Sequence, residues 1–269
     1  MNQFFSLKRF SLLVVKHWAD NRRRYHLSTV AIFGLLNAWF VFLMLSDSSP
    51  AMGQEVQQIT FYLGLFATGT FYSSQYFRDL GSRERGSNFL LVPASTFEKL
   101  LCSILYSVVF FFLVYLGVYY LADGLLVALI NASHDSKIAT VTNVFSVTIF
   151  PENSDFTISL VLFYFAVQAA FLLGSVFYSK YSFVKTIITG FLAWFVIFCL
   201  LFFLYEHLLP PGEYFEGSVT SYRIYVDGVN DHMVTIPRWM IDVIGFIGRY
   251  AIPPFLWVAT YFRLKEKQV

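Results

Sequence analysis

The chain has 269 residues, of which 57% are hydrophobic, 20% aromatic and only 13% charged. A soluble domain carries roughly 25% charged residues, so this composition argues against a water-soluble enzyme, a disordered tail or a nucleic-acid binder. The net charge of +2 is uninformative as a sum, and the topology has to be read from where the charges sit.

Residues 4 to 18 put Phe4, Leu7, Phe10, Val14 and Trp18 on one helical face and Lys8, Arg9, Lys16 and Asp20 on the other. That pattern predicts an amphipathic helix lying in the membrane interface, its basic face toward anionic lipid; a cytoplasmic helix packed on the bundle is the structural alternative. The segment 1–26, which includes the run Arg22-Arg23-Arg24, reads as helix plus basic anchor. The apolar core Leu12 to Val15 is too short for a cleaved signal peptide.

A membrane-crossing helix needs roughly 20 mostly apolar residues. Six stretches qualify: Leu27 to Leu45, Gln57 to Phe77, Leu100 to Leu121, Thr157 to Ser179, Thr186 to Tyr205 and Trp239 to Phe262. The run Gly124 to Ile130 either continues the third span or lies on the surface. Basic residues gather on the cytoplasmic side of spans. A cytoplasmic N-terminus puts 15 of the 19 Lys and Arg inside, sparing only Lys137, Arg223, Arg238 and Arg249, with both termini cytoplasmic. The fold expected is an all-α polytopic membrane protein, one transmembrane domain over 1–269, with six spans, the interfacial helix and a small extracytoplasmic β element.

That β element is expected in the external loops 132–156 and 206–237. Ile138 to Ile149 is rich in Val, Thr and Phe, and Asp227-Gly228 separates Ser221 to Val226 from Val229 to Ile236 in a hairpin pattern. A clamp over helix ends and a docking or exit role are equal readings. Cys102 and Cys199 lie in apolar runs and read as buried, inert thiols.

The cytoplasmic loop 78–99 is the most informative stretch. Its charges come first, then the apolar patch Phe89 to Val92, then Pro93 and a helix start that Ser95 caps with Glu98 three residues on. An exposed Phe and Leu on a short helix suit another protein's socket, while a topology-setting loop dipping into the interface is the structural alternative. The sequence RERGSNFLLVPASTFEK, between a Gly- and Ser-rich span and an aromatic one, resembles permeases of the ATP-binding-cassette type-2 transporter family. The resemblance covers the chain in architecture and about 20 residues in motif, and Val92 stands as an insertion before the family's proline turn. It implies a dimer of this permease, or a pair with a related one, driven by a separate nucleotide-binding ATPase subunit. That partner would hold the ATP and Mg²⁺. This chain would bind no cofactor or metal, and Arg83, Glu84, Arg85, Phe89, Leu90, Pro93, Glu98 and Lys99 would form the ATPase-coupling surface. Consistent with a separate motor, the sequence contains no Gly-x-x-x-x-Gly-Lys-Ser/Thr loop.

Gly64, Thr68, Gly69 and Ser73 in the second span are small residues at helix-packing spacing. The family resemblance adds a second role, lining a pathway or dimer seam with Thr189 and Gly190 of the fifth span. Arg249 is the one ionisable residue well inside an expected span, either on that path or snorkelling from a re-entrant segment kinked at Pro253-Pro254. The five histidines are scattered among loops and interfaces, and no catalytic constellation emerges. The family resemblance implies transport of an amphiphile, drug, peptide or lipid-like cargo outward; a scaffold that transmits ATPase motion to an external partner is the alternative.

Overall fold

The computed structural model describes residues 4–46, 53–81, 86, 89, 91–132, 139–145, 155–178, 180–208, 221–226, 230–235 and 237–267. Helix α1 (Leu7–Ser46) is one rod of 40 residues, about 60 Å at 1.5 Å per residue. The expected interfacial helix is therefore not a separate element but the first half of α1, because the stretch between Ala19 and His26 contains neither Gly nor Pro to break it. Its outward face carries part of the expected apolar stripe, and its inward face is mixed. Arg9, Leu13, His17, Asn21 and Tyr25 are partly buried, whereas Leu7 is 75% exposed and Trp18 45%. Hydrocarbon offers polar side chains no hydrogen bonds, so the polar face turns toward protein.

Helix α2 (Gln54–Gln75) ends in a 3₁₀ turn at Arg78–Gly81. Then α3 (Thr96–Ile104), a π-helical turn (Leu105–Phe110) and α4 (Phe111–Ala132) run on as one 37-residue rod. The run Gly124 to Ile130 thus continues the span rather than lying on the surface. Helix α5 (Asp155–Phe177) turns into α6 (Ser182–Leu208) through Tyr181, a non-glycine residue with φ of 56°. Strands β1 (Ser221–Val226) and β2 (Asn230–Thr235) pair antiparallel, with Val226 opposite Asn230 and Ser221 opposite Thr235. Helix α7 (Arg238–Phe246), a second π-helical turn (Ile247–Ala251) and α8 (Ile252–Glu266) form a last 29-residue rod.

Among the described residues, five of these helical rods are long and apolar enough to cross a membrane, one fewer than the six expected. The difference is α2. At 22 residues it would reach about 33 Å, but Gln57, Gln58, Thr60, Thr70, Ser73 and Ser74 dilute its apolar content. All six are buried. Exposed Ile59, Leu63 and Phe71 make up the opposite face, so α2 is a polar-inside, apolar-outside helix held by α4, α5 and α6.

The other loop expected to carry strand character does not form one among its described residues. Residues 139–145 are irregular and turn at 144–145, because side chains from the helices take their backbone groups. Asn131 brackets Ala139 with two hydrogen bonds of 2.9 and 3.1 Å. Tyr62 donates to the Val144 carbonyl at 3.0 Å, and Thr142 N donates to Asp123 Oδ2 at 3.2 Å. Residues 133–138 and 146–149 lie outside the described residues. One large core of Phe40, Phe61, Tyr115, Tyr119 and their neighbours joins α1, α2 and α4. A second, smaller core of Phe77, Leu172, Val176 and Leu264 joins the ends of α2, α5 and α8.

Candidate functional site

The second core marks the end of the bundle where α2, α5 and α8 finish and α3 begins, and it is also the basic end. The expected cap on α3 forms: Ser95 Oγ accepts from Glu98 N at 3.1 Å and Glu98 Oε2 accepts from Ser95 N at 2.9 Å. The same carboxylate reaches further. Its Oε1 accepts from Ser6 N at 2.7 Å and from Arg9 Nη2 at 3.0 Å. Ser95 Oγ also donates to the Phe4 carbonyl at 2.6 Å, and Phe4 stacks on Phe97 with centroids 4.9 Å apart. The start of α1 is thereby locked onto the first turn of α3.

This lock changes the standing of two expected surface residues. Glu98 is 0% exposed and Lys99 2%, so neither is a contact open to a partner in this arrangement. Glu98 is consumed by three N–H donors, while the Lys99 ammonium lies 5.4 Å from the Phe89 ring. Phe89 itself is half-buried and meets Phe77 edge-on at 5.9 Å. Pro93 is exposed, and so, at 79%, is Leu91, a member of the expected apolar patch that was not among the expected coupling residues. Arg83, Glu84, Arg85 and Leu90 lie outside the described residues.

Beside the lock stands an aromatic cluster. His17 Nε2 and the Tyr25 hydroxyl are 2.5 Å apart. The His17 ring stacks on Tyr76 at 5.1 Å and lies 4.5 Å from Tyr106. Tyr106, which sits in the first π-helical turn, donates to the Val14 carbonyl at 2.9 Å. Two cavities flank this cluster and share Tyr25 and Tyr72 as a common wall. One, of about 400 Å³, is ionic; the other, of about 630 Å³, is apolar. His17 is thus a packed member of a site rather than a scattered interfacial residue. The spacing His17, Asn21, Tyr25, together with Tyr72 and Tyr76, is a four-residue repeat of polar side chains, four of them rings, that could have signalled it.

The small residues expected at a pathway or seam separate into two groups. A Cβ at Gly64 would overlap the Tyr115 hydroxyl, and one at Gly69 would overlap Gln168 and approach Tyr164 to 3.1 Å. Thr68 Oγ1 donates back to the Gly64 carbonyl at 2.6 Å, and Ser73 Oγ donates to Gln168 Oε1. These four positions pack α2 into the bundle. Thr189 and Gly190 are exposed on α6, with open space around Gly190, so the structure does not bring the two groups together. Cys199, on the same outward helix, is exposed rather than buried, whereas Cys102 is buried. Arg249 is exposed in the second π-helical turn. The helix passes through that turn without a re-entrant break, and Pro253 and Pro254 stand directly after it, in the first turn of α8.

One buried ionisable residue escaped the sequence reading. Asp123 is 0% exposed and lies on α4 two residues past the expected end of the third span. Its Oδ2 takes the Thr142 N–H, Thr142 Oγ1 donates to Gln57 Oε1, and Tyr119 donates to the Gln57 carbonyl at 2.6 Å. This cluster closes the end of the bundle opposite the basic one. At the basic end, Lys267 Nζ donates to the Val176 carbonyl near the terminus of α5, burial lowers its pKa, and Arg263 beside it adds to the effect.

No family model, curated protein or solved structure matches the chain. Among the described residues no group of three His, Cys, Asp or Glu side chains is placed to hold a metal ion.

Proposed function

We propose that the chain is a membrane permease subunit worked by a separate ATPase, acting as a dimer or with a related permease in a plasma or bacterial inner membrane. The observation that carries the proposal is the lock between Ser6, Arg9, Ser95 and Glu98. It joins two elements that each lead directly into a long apolar rod. A push on the loop 78–95 would therefore move the first and third spans together instead of bending a hinge. The absence from the sequence of a phosphate-binding loop agrees with a motor on another chain. In this reading α2 is a sixth crossing whose polar face is shielded by the bundle, the basic end faces the cytoplasm with both termini, and the hairpin 221–235 is external.

The coupling surface is revised by burial: Leu91 and Pro93 face the partner, Phe89 supports them from behind, and Glu98 and Lys99 hold the loop in place. Residues Arg83, Glu84, Arg85 and Leu90 remain part of the proposed surface on sequence grounds. The cargo class that suits the aromatic interior is an amphiphile moved outward. A transmitting scaffold is the second reading. It is favoured by the position of the two cavities, both beside α1 rather than between α2 and α6.

The test is co-purification of an ATPase with this chain in lipid nanodiscs, comparing wild type with Leu91→Asp and Glu98→Lys. Leu91→Asp is expected to abolish lipid- or cargo-stimulated turnover while leaving the permease folded, since the side chain is exposed. Normal turnover in both variants, or no ATPase in the complex, would overturn the permease reading.

A further inference from the structure

The end of the bundle opposite the basic one is covered by residues 139–145, and beneath them lies a carboxyl group. Asp123 and Val144 are 0% exposed, Thr142 2% and Ala139 5%. The two oxygens of Asp123 are unequal. Oδ2 accepts from Thr142 N at 3.2 Å, whereas Oδ1 has no partner among the described residues. Gln57, bonded to the same threonine, is just as lopsided: its Oε1 takes the Thr142 hydroxyl and its Nε2 has no partner among the described residues. Thr142 therefore ties both buried side chains to the covering segment.

No positive charge answers the carboxyl among the described residues. The helices packed on α4 are chiefly α1 and α2. Residues 27–46 of α1, all of α2, residues 105–132 and the segment 139–145 contain no Lys, Arg or His. The titratable groups at this end are Tyr119 and Tyr120 of α4 and Tyr62 and Glu55 of α2. The Tyr119 and Tyr62 hydroxyls are committed to the Gln57 and Val144 carbonyls, and Glu55 is exposed. His134, Asp135 and Lys137 lie outside the described residues.

A carboxylate withdrawn from water needs an opposite charge or a full set of donors, and one backbone N–H is neither. A neutral acid asks far less. Its carbonyl oxygen, Oδ2, still accepts from Thr142 N–H, and its proton sits on Oδ1, the oxygen that lacks a donor. Once uncovered, the same group is solvated by water and gives the proton up.

We infer that Asp123 is a proton-binding site that latches residues 139–145 over this end of the bundle: the covered carboxyl holds one proton, and release of that proton to water frees the segment. In the topology proposed above the proton comes from the external side. The latch needs only the folded chain and not the proposed ATPase, so either can fail without the other. Because the covered form binds one proton more than the uncovered one, covering is favoured at low pH. It weakens as pH rises above about 4, where an exposed carboxyl ionises, by about tenfold per pH unit until the covered group ionises too.

The test is hydrogen exchange of the full chain in lipid nanodiscs from about pH 5 to about pH 7, above the ordinary carboxylate range, corrected for the intrinsic pH dependence of amide exchange. Protection at residues 139–145 is expected to fall about tenfold per pH unit in wild type. It is expected to be flat in Asp123→Asn, which carries no charge and keeps an acceptor for Thr142 N–H. Glu55→Gln, which removes an exposed carboxyl, is expected to keep the wild-type slope. A flat wild-type profile would overturn the inference, and a slope that survives in Asp123→Asn would assign the proton to another group and overturn it equally. Infrared spectroscopy reads the proton on wild type alone, so a variant that fails to fold leaves the result decisive. A protonated-carboxyl C=O band is expected to persist at about pH 6, where exposed carboxyls have ionised, and its absence would sink the latch.

Discussion

Helices α2 and α6 are both long enough to cross a bilayer, yet they are built in opposite senses. In α6 every residue from 187 to 203 is exposed, including Phe191, Trp194, Phe195 and Phe198, and among the described residues the helix packs chiefly on α5 and α2. In α2 the exposed positions are a minority stripe, and Gln57, Gln58, Thr60, Thr70, Ser73 and Ser74 are buried. In water this would be an inverted protein. In hydrocarbon it is the expected order, because apolar side chains gain nothing by leaving lipid while close packing and hydrogen bonds between helices do stabilise the bundle. A strongly apolar helix, α6, is therefore the one least committed to the fold, while α2, with polar side chains buried, sits at its centre.

The sharpest way to break this comparison is to enlarge the glycines of each helix. Gly64→Leu and Gly69→Leu are expected to prevent stable folding, since even a Cβ collides with Tyr115 or with Gln168 and overpacking of a filled interior costs about 1–3 kcal/mol or more. The readout is the fraction of monodisperse protein in detergent and its thermal midpoint. If both variants fold like wild type, α2 is not the packed centre of the bundle.

The next effect is expected at the lock. Glu98→Ala leaves the Ser6 and Ser95 N–H groups and the Arg9 guanidinium without their shared acceptor. Arg9 is 38% exposed and can recover water, so about 1–3 kcal/mol is expected for the buried donors. Faster hydrogen exchange should appear at residues 4–10 and 95–99 and not at 139–145. Exchange that rises uniformly would mean that the lock is no separate unit.

How much of this was legible depends on what each pattern encodes. Apolar length located five of the rods, because crossing a membrane is a one-dimensional demand. Ser95 and Glu98 announced their cap because the capping box is local, closed within three residues. The inward face of α1 was not legible for a physical reason: Leu7, Val14 and Trp18 form the apolar stripe expected at the lipid interface, and the mixed face that packs on protein leaves no such stripe. Ser6 and Arg9 meeting Glu98 across 92 and 89 residues is a tertiary fact that no local spacing carries. Asp123 was missed because a charged residue usually ends a hydropathy run. Here the helix continues to Ala132, and a chain segment that folds back over the carboxylate gives its Oδ2 a backbone donor, Thr142 N–H, while Oδ1 has none.

Asp123 offers a smaller test on the polar side of the comparison. Asp123→Asn keeps an acceptor for Thr142 N–H and is expected to lie within about 1 kcal/mol of wild type, whereas Asp123→Leu loses it and should cost about 1–2 kcal/mol. Residues 139–145 should then exchange faster while the basic end is unchanged. An unchanged 139–145 in the leucine variant would mean that Asn131 and Tyr62 alone pin the segment.

The smallest effects are expected on α6, and they carry the comparison's other half. Nothing lies within 4 Å of a Cβ built at Gly190, and Thr189 spends its hydroxyl on the Lys185 carbonyl at 2.8 Å and on Tyr178 at 2.6 Å. Gly190→Ala, far from any neighbour, should leave stability within about 0.5 kcal/mol or raise it slightly through helix propensity. Because the glycine is unconstrained by its own bundle, a larger residue there can be felt only through another molecule. Gly190→Trp that keeps the thermal midpoint yet shifts the oligomeric state in nanodiscs would place α6 against a second copy or a related permease. The same variant with midpoint and oligomeric state both unchanged would assign the whole 187–203 surface to lipid.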